Sequence, residues 1–126
     1  MKTIHTDKAP AAVGPYSQAI AANGMLYLSG QIAINPSEGK IVAKDIEGQA
    51  EQCCRNVEAV LAEAGTDMHA VVKTTCFLAD INDFKAFNEV YAKHFVSKPA
   101  RSCVAAAALP AGALCEIEAV AVLDEK

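Results

Sequence analysis

The stretch Ser17-Gln18-Ala19-Ile20-Ala21-Ala22-Asn23-Gly24-Met25-Leu26-Tyr27-Leu28-Ser29 decides how this chain is read. Two apolar segments flank Asn23-Gly24, and both turn residues tolerate the positive φ of a tight hairpin. Ser17–Ala22 and Met25–Ser29 are therefore expected to pair as antiparallel strands. Beyond them, Ile34-Asn35-Pro36-Ser37-Glu38-Gly39-Lys40 reads as a loop. Asp45 then suits a helix N-cap, and Gly65 suits the position just past a helix end. Between these two, Ile46, Ala50, Cys53, Val57, Val60, Leu61 and Ala64 recur at helical spacing and define one buried face. Cys53 reads as core filler and Cys54 as its flanking neighbour.

Further along, Val71–Leu78 is a β-rich run, and a second helix is expected from about Asn82 to Phe95. Phe84, Phe87, Tyr91 and Phe95 form its apolar stripe, with Asn88 lying on the same stripe. Lys98-Pro99 ends it, because a residue before proline avoids the helical region. Ala100–Ala107 and Leu114–Leu123 read as two final strands around Leu109-Pro110-Ala111-Gly112-Ala113. The resulting order is strand, strand, helix, strand, helix, strand, strand. It predicts an α+β fold, one sheet with both helices packed on one face. No repeat or linker interrupts the chain, so residues 1–126 are expected to form one domain.

The totals narrow the function classes. A net charge of −4 and a pI near 5.3 argue against a dedicated nucleic-acid surface, which needs clustered positive charge. No apolar run approaches the roughly 18 residues of a membrane span, and Met1-Lys2-Thr3-Ile4-His5 opens without a secretory h-region. Five cysteines, an odd number with no secretory signal, predict free thiols in a reducing, cytoplasmic compartment. No Cys-x-x-Cys pair occurs and the three histidines are scattered, which argues against a structural zinc site. Ala supplies 25 residues and aromatics only seven. Such small side chains fill little volume, so part of the apolar surface is expected to close against another copy.

Two charges sit where strands should be buried. Arg101 lies in Pro-Ala-Arg-Ser-Cys-Val, and Glu116 opens Glu-Ile-Glu-Ala-Val-Ala-Val-Leu. An ion buried without a partner costs several kcal/mol, so each must be paired, near water, or facing a ligand. Alternation puts Arg101 and Cys103 on one strand face, and Glu116 and Glu118 on one face of the last strand. If these strands are neighbours, guanidinium and carboxylate meet in one pocket. Arg101 would then hold a small carboxylate bidentately, and Glu116 would orient water or move a proton. A structural Arg101–Glu116 ion pair, or pairing of Arg101 across a subunit boundary, accounts for the same pattern. Cys103 as a nucleophile lacks a histidine at a spacing that identifies a base. Tyr16 in Gly14-Pro15-Tyr16, the Ser29-Gly30-Gln31 strand end, Asn88 and Phe84 are weaker candidates, each with an ordinary packing or turn role.

Taken together, Ala9-Pro10 through Gly14-Pro15-Tyr16-Ser17-Gln18-Ala19, Ser29-Gly30-Gln31-Ile32, Val72-Lys73-Thr74-Thr75, Asp83-Phe84, Asn88-Glu89-Val90-Tyr91, Pro99-Ala100-Arg101-Ser102-Cys103-Val104 and Glu116-Ile117-Glu118-Ala119 resemble the RidA (YjgF) family of reactive-intermediate deaminases. The match runs in order over nearly the whole chain. The resemblance implies a chorismate-mutase-like fold assembled as a homotrimer, with active sites in clefts between subunits. It implies hydrolysis of 2-aminoacrylate and related imino acids to 2-oxo acids and ammonia, with neither metal nor organic cofactor. By motif position Arg101 would grip the substrate carboxylate and Glu116 would position or activate the attacking water. Tyr16, Ser29, Gly30, Phe84, Asn88 and Cys103 would line the site, some contributed by the neighbouring chain. Cys115 stands where the family has an aliphatic residue, and Ala105–Ala108 is blander than usual; both bear on substrate range. Two other functions compete. One is a binding or regulatory module for 2-oxo acids or other small carboxylates, which needs Arg101 but not Glu116. The other is the ribonuclease or translation-inhibitor activity attributed to some relatives, which the acidic charge disfavours.

Overall fold

A computed structural model describes residues 1–123. The hairpin forms as expected. β2 (Ala19–Ala22) pairs with β3 (Met25–Gln31), and Asn23 and Gly24 both take positive φ, 54° and 76°. A short strand absent from the sequence reading, β1 (Lys2–Ile4), pairs with the outer side of β2. The segment expected to be a loop instead carries a two-residue hairpin, β4 (Ile34–Asn35) with β5 (Lys40–Ile41). Asn35 makes its turn by accepting from Ser37 N at 2.9 Å through Oδ1 and from Gly39 N at 2.8 Å through its carbonyl.

The first helix, α1, spans Ile46–Glu63. Asp45 caps it by accepting from Gly48 N at 2.8 Å. Gly65, at φ 86°, ends it: Gly65 N donates to Ala62 O and Thr66 N to Leu61 O, each at 3.0 Å. β6 (Val71–Leu78) follows with the expected bounds. The second helix, α2, spans Phe84–His94 and begins later than expected, because Asp80 caps a separate 3₁₀ turn over Ile81–Asp83. The last strands are β7 (Ala100–Ala105) and β8 (Cys115–Val122), each shorter than the pattern implied. No helix among the described residues is long and apolar enough to cross a membrane.

Six strands make one mixed sheet in the order β1-β2-β3-β8-β6-β7. β6 and β7 are parallel neighbours joined through α2, whereas the other pairs are antiparallel. The last strand is thus inserted at the centre, between β3 and β6. Both helices lie on one face of the sheet: Cys53 of α1 touches Cys115 of β8, and Tyr91 of α2 touches Thr74 of β6. The core sits between, with Val57, Leu61, Leu78, Phe87 and Ile117 wholly buried. The opposite face is open and carries Tyr27, Val104 and Val122, all at least 40% exposed.

Three buried amides fasten the irregular segments to this frame. Asn56 donates to Ile32 O and Ile34 O, and Gln49 links Ala43 O to Leu114 N. Gln18 binds Thr6 through both ends of its amide and also donates to Pro10 O at 2.8 Å. Each replaces backbone partners that a loop segment lacks.

Candidate active site

The condition under which Arg101 and Glu116 would share a pocket within one chain, neighbouring strands, is not met. β6 lies between β7 and β8, so their strands are not neighbours. Their faces differ as well. Arg101 pairs in register with Thr74, whose hydroxyl reaches α2, and so belongs to the helix-covered face. Glu116 pairs with Phe77, the opposite phase of the same strand, and so belongs to the open face. Alternation fixes faces within a strand but not the phase between strands, which is why the sequence reading could not see this. The structural ion pair within one chain is excluded with it. Among the described residues, ion pairs join His5, Arg55, His69 and His94 to carboxylates, and Arg101 is in none of them.

Each charge anchors its own half-site. Around Glu116 a cavity of about 560 Å³ is lined by Tyr16, Ser29, Gly30 and Gln31. Pro10, Val13, Ile32 and Pro110 give it an apolar wall. Ser29-Gly30-Gln31 ends β3, as expected, and Ser29-Gly30 forms a bulge there. Leu28 pairs with Ala119 and Gln31 with Ile117, so three steps on β3 oppose two on β8. The bulge turns Ser29 toward the chain before β2, where its hydroxyl donates to Ser17 O at 2.6 Å. It also presses Gly30 against Glu116: a Cβ at position 30 would overlap the Glu116 carboxylate. A side chain here would push that carboxylate aside, so glycine keeps Glu116 in its place. Over the cavity runs the strap of residues 10–16, in which the Tyr16 hydroxyl accepts from Val13 N at 3.4 Å. Gln18 holds the base of that strap, a supporting role that its position in a strand-like run did not signal.

The Glu116 carboxyl is held above its ordinary pKa, chiefly because half-burial disfavours its charge and secondly because Glu118 lies on the same strand face. Such a group changes protonation more readily near neutral pH than an exposed glutamate does.

The second half-site surrounds Arg101, which stands on the edge strand β7. Its Nη1 donates to Asn88 Oδ1 at 2.6 Å, and its guanidinium lies over the rings of Tyr91 and Phe84. A groove of about 550 Å³ opens beside it between α2 and Pro99. Phe84, expected to be core by default, is instead 38% exposed, because it opens α2 at the edge beyond the sheet. Asn88 is confirmed on the stripe but is engaged with Arg101 rather than satisfied in the core. Cys103 follows Arg101 on the same face, and burial raises its thiol pKa more than nearby Arg101 lowers it. A thiol held that way is not an activated nucleophile. Thus Tyr16, Ser29, Gly30 and Glu116 gather on one side, and Phe84, Asn88, Arg101 and Cys103 on the other.

Comparison with known proteins places this arrangement. Residues 6–123 match the family model described as Endoribonuclease L-PSP. The human 2-iminobutanoate/2-iminopropanoate deaminase is 48% identical over 122 residues, covering 96% of this chain and 89% of that protein. Among solved structures, E. coli TdcF with bound serine superposes with a TM-score of 0.92 at 41% identity, covering 98% of this chain and all of that one. The E. coli YjgF gene product gives 0.91 at 44% identity, covering 97% and 98% of the two chains. With the family model spanning nearly the whole chain and relatives at this identity, the chain belongs to the RidA (YjgF) family.

Proposed function

We propose that this protein is an imine deaminase that hydrolyses 2-imino acids, the tautomers of 2-aminoacrylate and its homologues, to 2-oxo acids and ammonium. One observation carries the reading: Arg101 projects from an edge strand on one sheet face, and Glu116 lines a cavity on the other. Two such half-sites complete each other when Arg101 of one copy faces Glu116 of the next. A cyclic homotrimer supplies three equivalent junctions of this kind, and the exposed apolar residues of the open sheet face support burial between copies. The relatives named as deaminases support the reaction, and a relative solved with serine supports a small carboxylate ligand. A cytoplasmic setting fits the free thiols.

The chemistry needs few groups. Arg101 pairs with the substrate carboxylate, its orientation set by Asn88, Phe84 and Cys103 beside it. With the imine protonated, Glu116 accepts a proton from water as the water oxygen bonds to the imine carbon and the C=N π pair moves to nitrogen, giving a neutral tetrahedral amino alcohol. That proton then passes from Glu116 to nitrogen, the C–N bond breaks with its electron pair leaving on ammonia, and the hydroxyl proton is lost to the departing ammonia as the carbonyl forms, giving ammonium. No electrons are exchanged with a second reactant. Tyr16, Ser29 and Gly30 enclose the Glu116 side.

The test is stopped-flow formation of 2-oxo acids from a panel of imino acids generated in situ. Wild type is expected to accelerate hydrolysis and Arg101→Ala to lose at least about 100-fold in kcat/KM. No acceleration by wild type overturns the reading. Unchanged ligand affinity with lost turnover in Glu116→Gln separates the enzyme from a carboxylate-binding module, for which neither protein turns over. The family description favours a second reading, RNA cleavage. It predicts nuclease activity that co-purifies with the chain and survives Arg101→Ala, against a net charge of −4 that opposes RNA binding.

A further inference from the structure

Arg101 is held on more than one side. Its Cζ lies 4.8 Å from the centroid of the Tyr91 ring and 5.6 Å from that of Phe84, and Asn88 accepts one of its N–H groups at 2.6 Å. Tyr91 is itself fixed twice. Its hydroxyl bonds Thr74 Oγ1 at 2.6 Å, and its ring stacks on Phe95 with centroids 4.3 Å apart. Thr74 is the register partner of Arg101 on β6. The anchor of the ring and the root of the arginine therefore occupy one rung of the sheet.

We infer that Tyr91, pinned by buried Thr74, is a positioning residue that sets Arg101 in place before a carboxylate arrives. The inference rests on the proposal that Arg101 is the carboxylate grip. A guanidinium over an aromatic face is attracted by the ring quadrupole and leaves its N–H groups free to point past the ring. Of five such donors Asn88 takes one, so the others remain for a ligand. A long side chain already held in place loses less freedom on binding than one that must be recruited from solvent. Burial pushes the Tyr91 phenol up to about 12, so the Thr74 bond keeps a neutral hydroxyl at any working pH. In the sequence Tyr91 is an aromatic of the helix stripe and Thr74 a strand residue; both lie in segments that resemble the family, but no role is legible for either.

The chain has two arginines, Arg55 and Arg101, so nitrogen-edited NMR of arginine Nε–H groups reads two signals. In wild type the Arg101 signal is expected to be displaced by the Tyr91 ring current. Tyr91→Leu should return it to the position of a solvated arginine and leave the Arg55 signal unmoved. Titration with 2-oxobutanoate, a stable product of the proposed reaction, supplies the second readout. Its dissociation constant should rise about tenfold in Tyr91→Leu and about threefold in Thr74→Val. Tyr91→Phe, which keeps the ring, should stay within about threefold of wild type. If Arg101→Ala loses binding while Tyr91→Leu and Thr74→Val bind as wild type, the positioning role is overturned and the carboxylate reading stands. If Arg101→Ala binds as wild type, the carboxylate reading falls and the positioning role falls with it. Should Tyr91→Leu fail to fold, Thr74→Val decides: wild-type affinity in that near-isosteric variant overturns the inference.

Discussion

Arg101 of β7 and Glu116 of β8 face opposite sides of one sheet with β6 between them. No rotamer brings a guanidinium through a packed sheet. If both act on one substrate, they do so from different chains.

Mixing tests this directly. Arg101→Ala and Glu116→Gln should each be inactive as pure assemblies. Unfolded together and refolded as mixed assemblies of the proposed cyclic kind, they should recover about a quarter of the wild-type sites, because half of the arginine donors and half of the glutamate donors are intact. Recovery of none would place both groups of one site in one chain, contrary to this geometry.

Gly30→Ala should lose about 100-fold or more in kcat/KM with little change in the circular dichroism spectrum. The added Cβ meets the Glu116 carboxylate, the movable end of a side chain, so the strand can persist while the carboxylate is driven off its place. Retained activity would mean that the position of Glu116 is not critical.

The pH profile should respond to Glu118. If Glu116 must be ionised to take a proton from water, activity falls on the acid side as pH drops through its raised pKa. Burial is the larger cause of that rise and the Glu118 charge the smaller. Glu118→Gln should therefore move the acid limb of kcat to lower pH without abolishing it, as read from initial rates across pH 4–8. A limb that stays in place would remove Glu116 as the group responsible.

Away from the site, His94 clips the two helices together, with Nδ1 3.0 Å from Glu58 on α1 and Nε2 2.8 Å from Glu51. Burial alone would lower its pKa, but the hydrogen bonds to Glu58 and Glu51 outweigh burial and hold it above 6.5. A raised folded-state value means that the clip contributes fully below pH 6.5 and is lost as pH rises through the folded value. Solvent screening keeps the contribution to about 0.5–1 kcal/mol. Denaturant midpoints should show His94→Gln less stable than wild type at pH 5.5 and converging with it by pH 9. A gap that widens with pH would contradict the arrangement.

Much of this fold is written in local pattern. Asn23-Gly24 locates a turn that needs two positive φ values, and Asp45 and Gly65 bound a helix to the residue. β6 follows from an uninterrupted β-rich run. Strand order is a different kind of information. Nothing in Ala100–Ala105 or Cys115–Val122 states that β8 lies between β6 and β3, because local pattern carries no information about which strands become neighbours. The site was legible in the same uneven way. Misplaced charge exposes Arg101 and Glu116, since burial without a partner demands a reason. Their supports, Gln18, Thr74 and Tyr91, carry no such mark: a buried amide, a strand hydroxyl and a stripe aromatic look alike whether they hold up a core or a site. Phe84 shows the converse, an aromatic at core spacing that is left partly exposed at the first position of α2, with Arg101 over its ring.

The extra residue in β3 has a consequence for how this scaffold can change. Without Ser29 or Gly30 the ladder between β3 and β8 would run uninterrupted, and the sheet would gain regular pairing while losing the hollow beside Glu116. Natural drift toward a tidier strand is therefore drift toward inertness. A deletion there should yield a chain that melts higher and does nothing, so the irregularity persists only while something selects for what it makes possible.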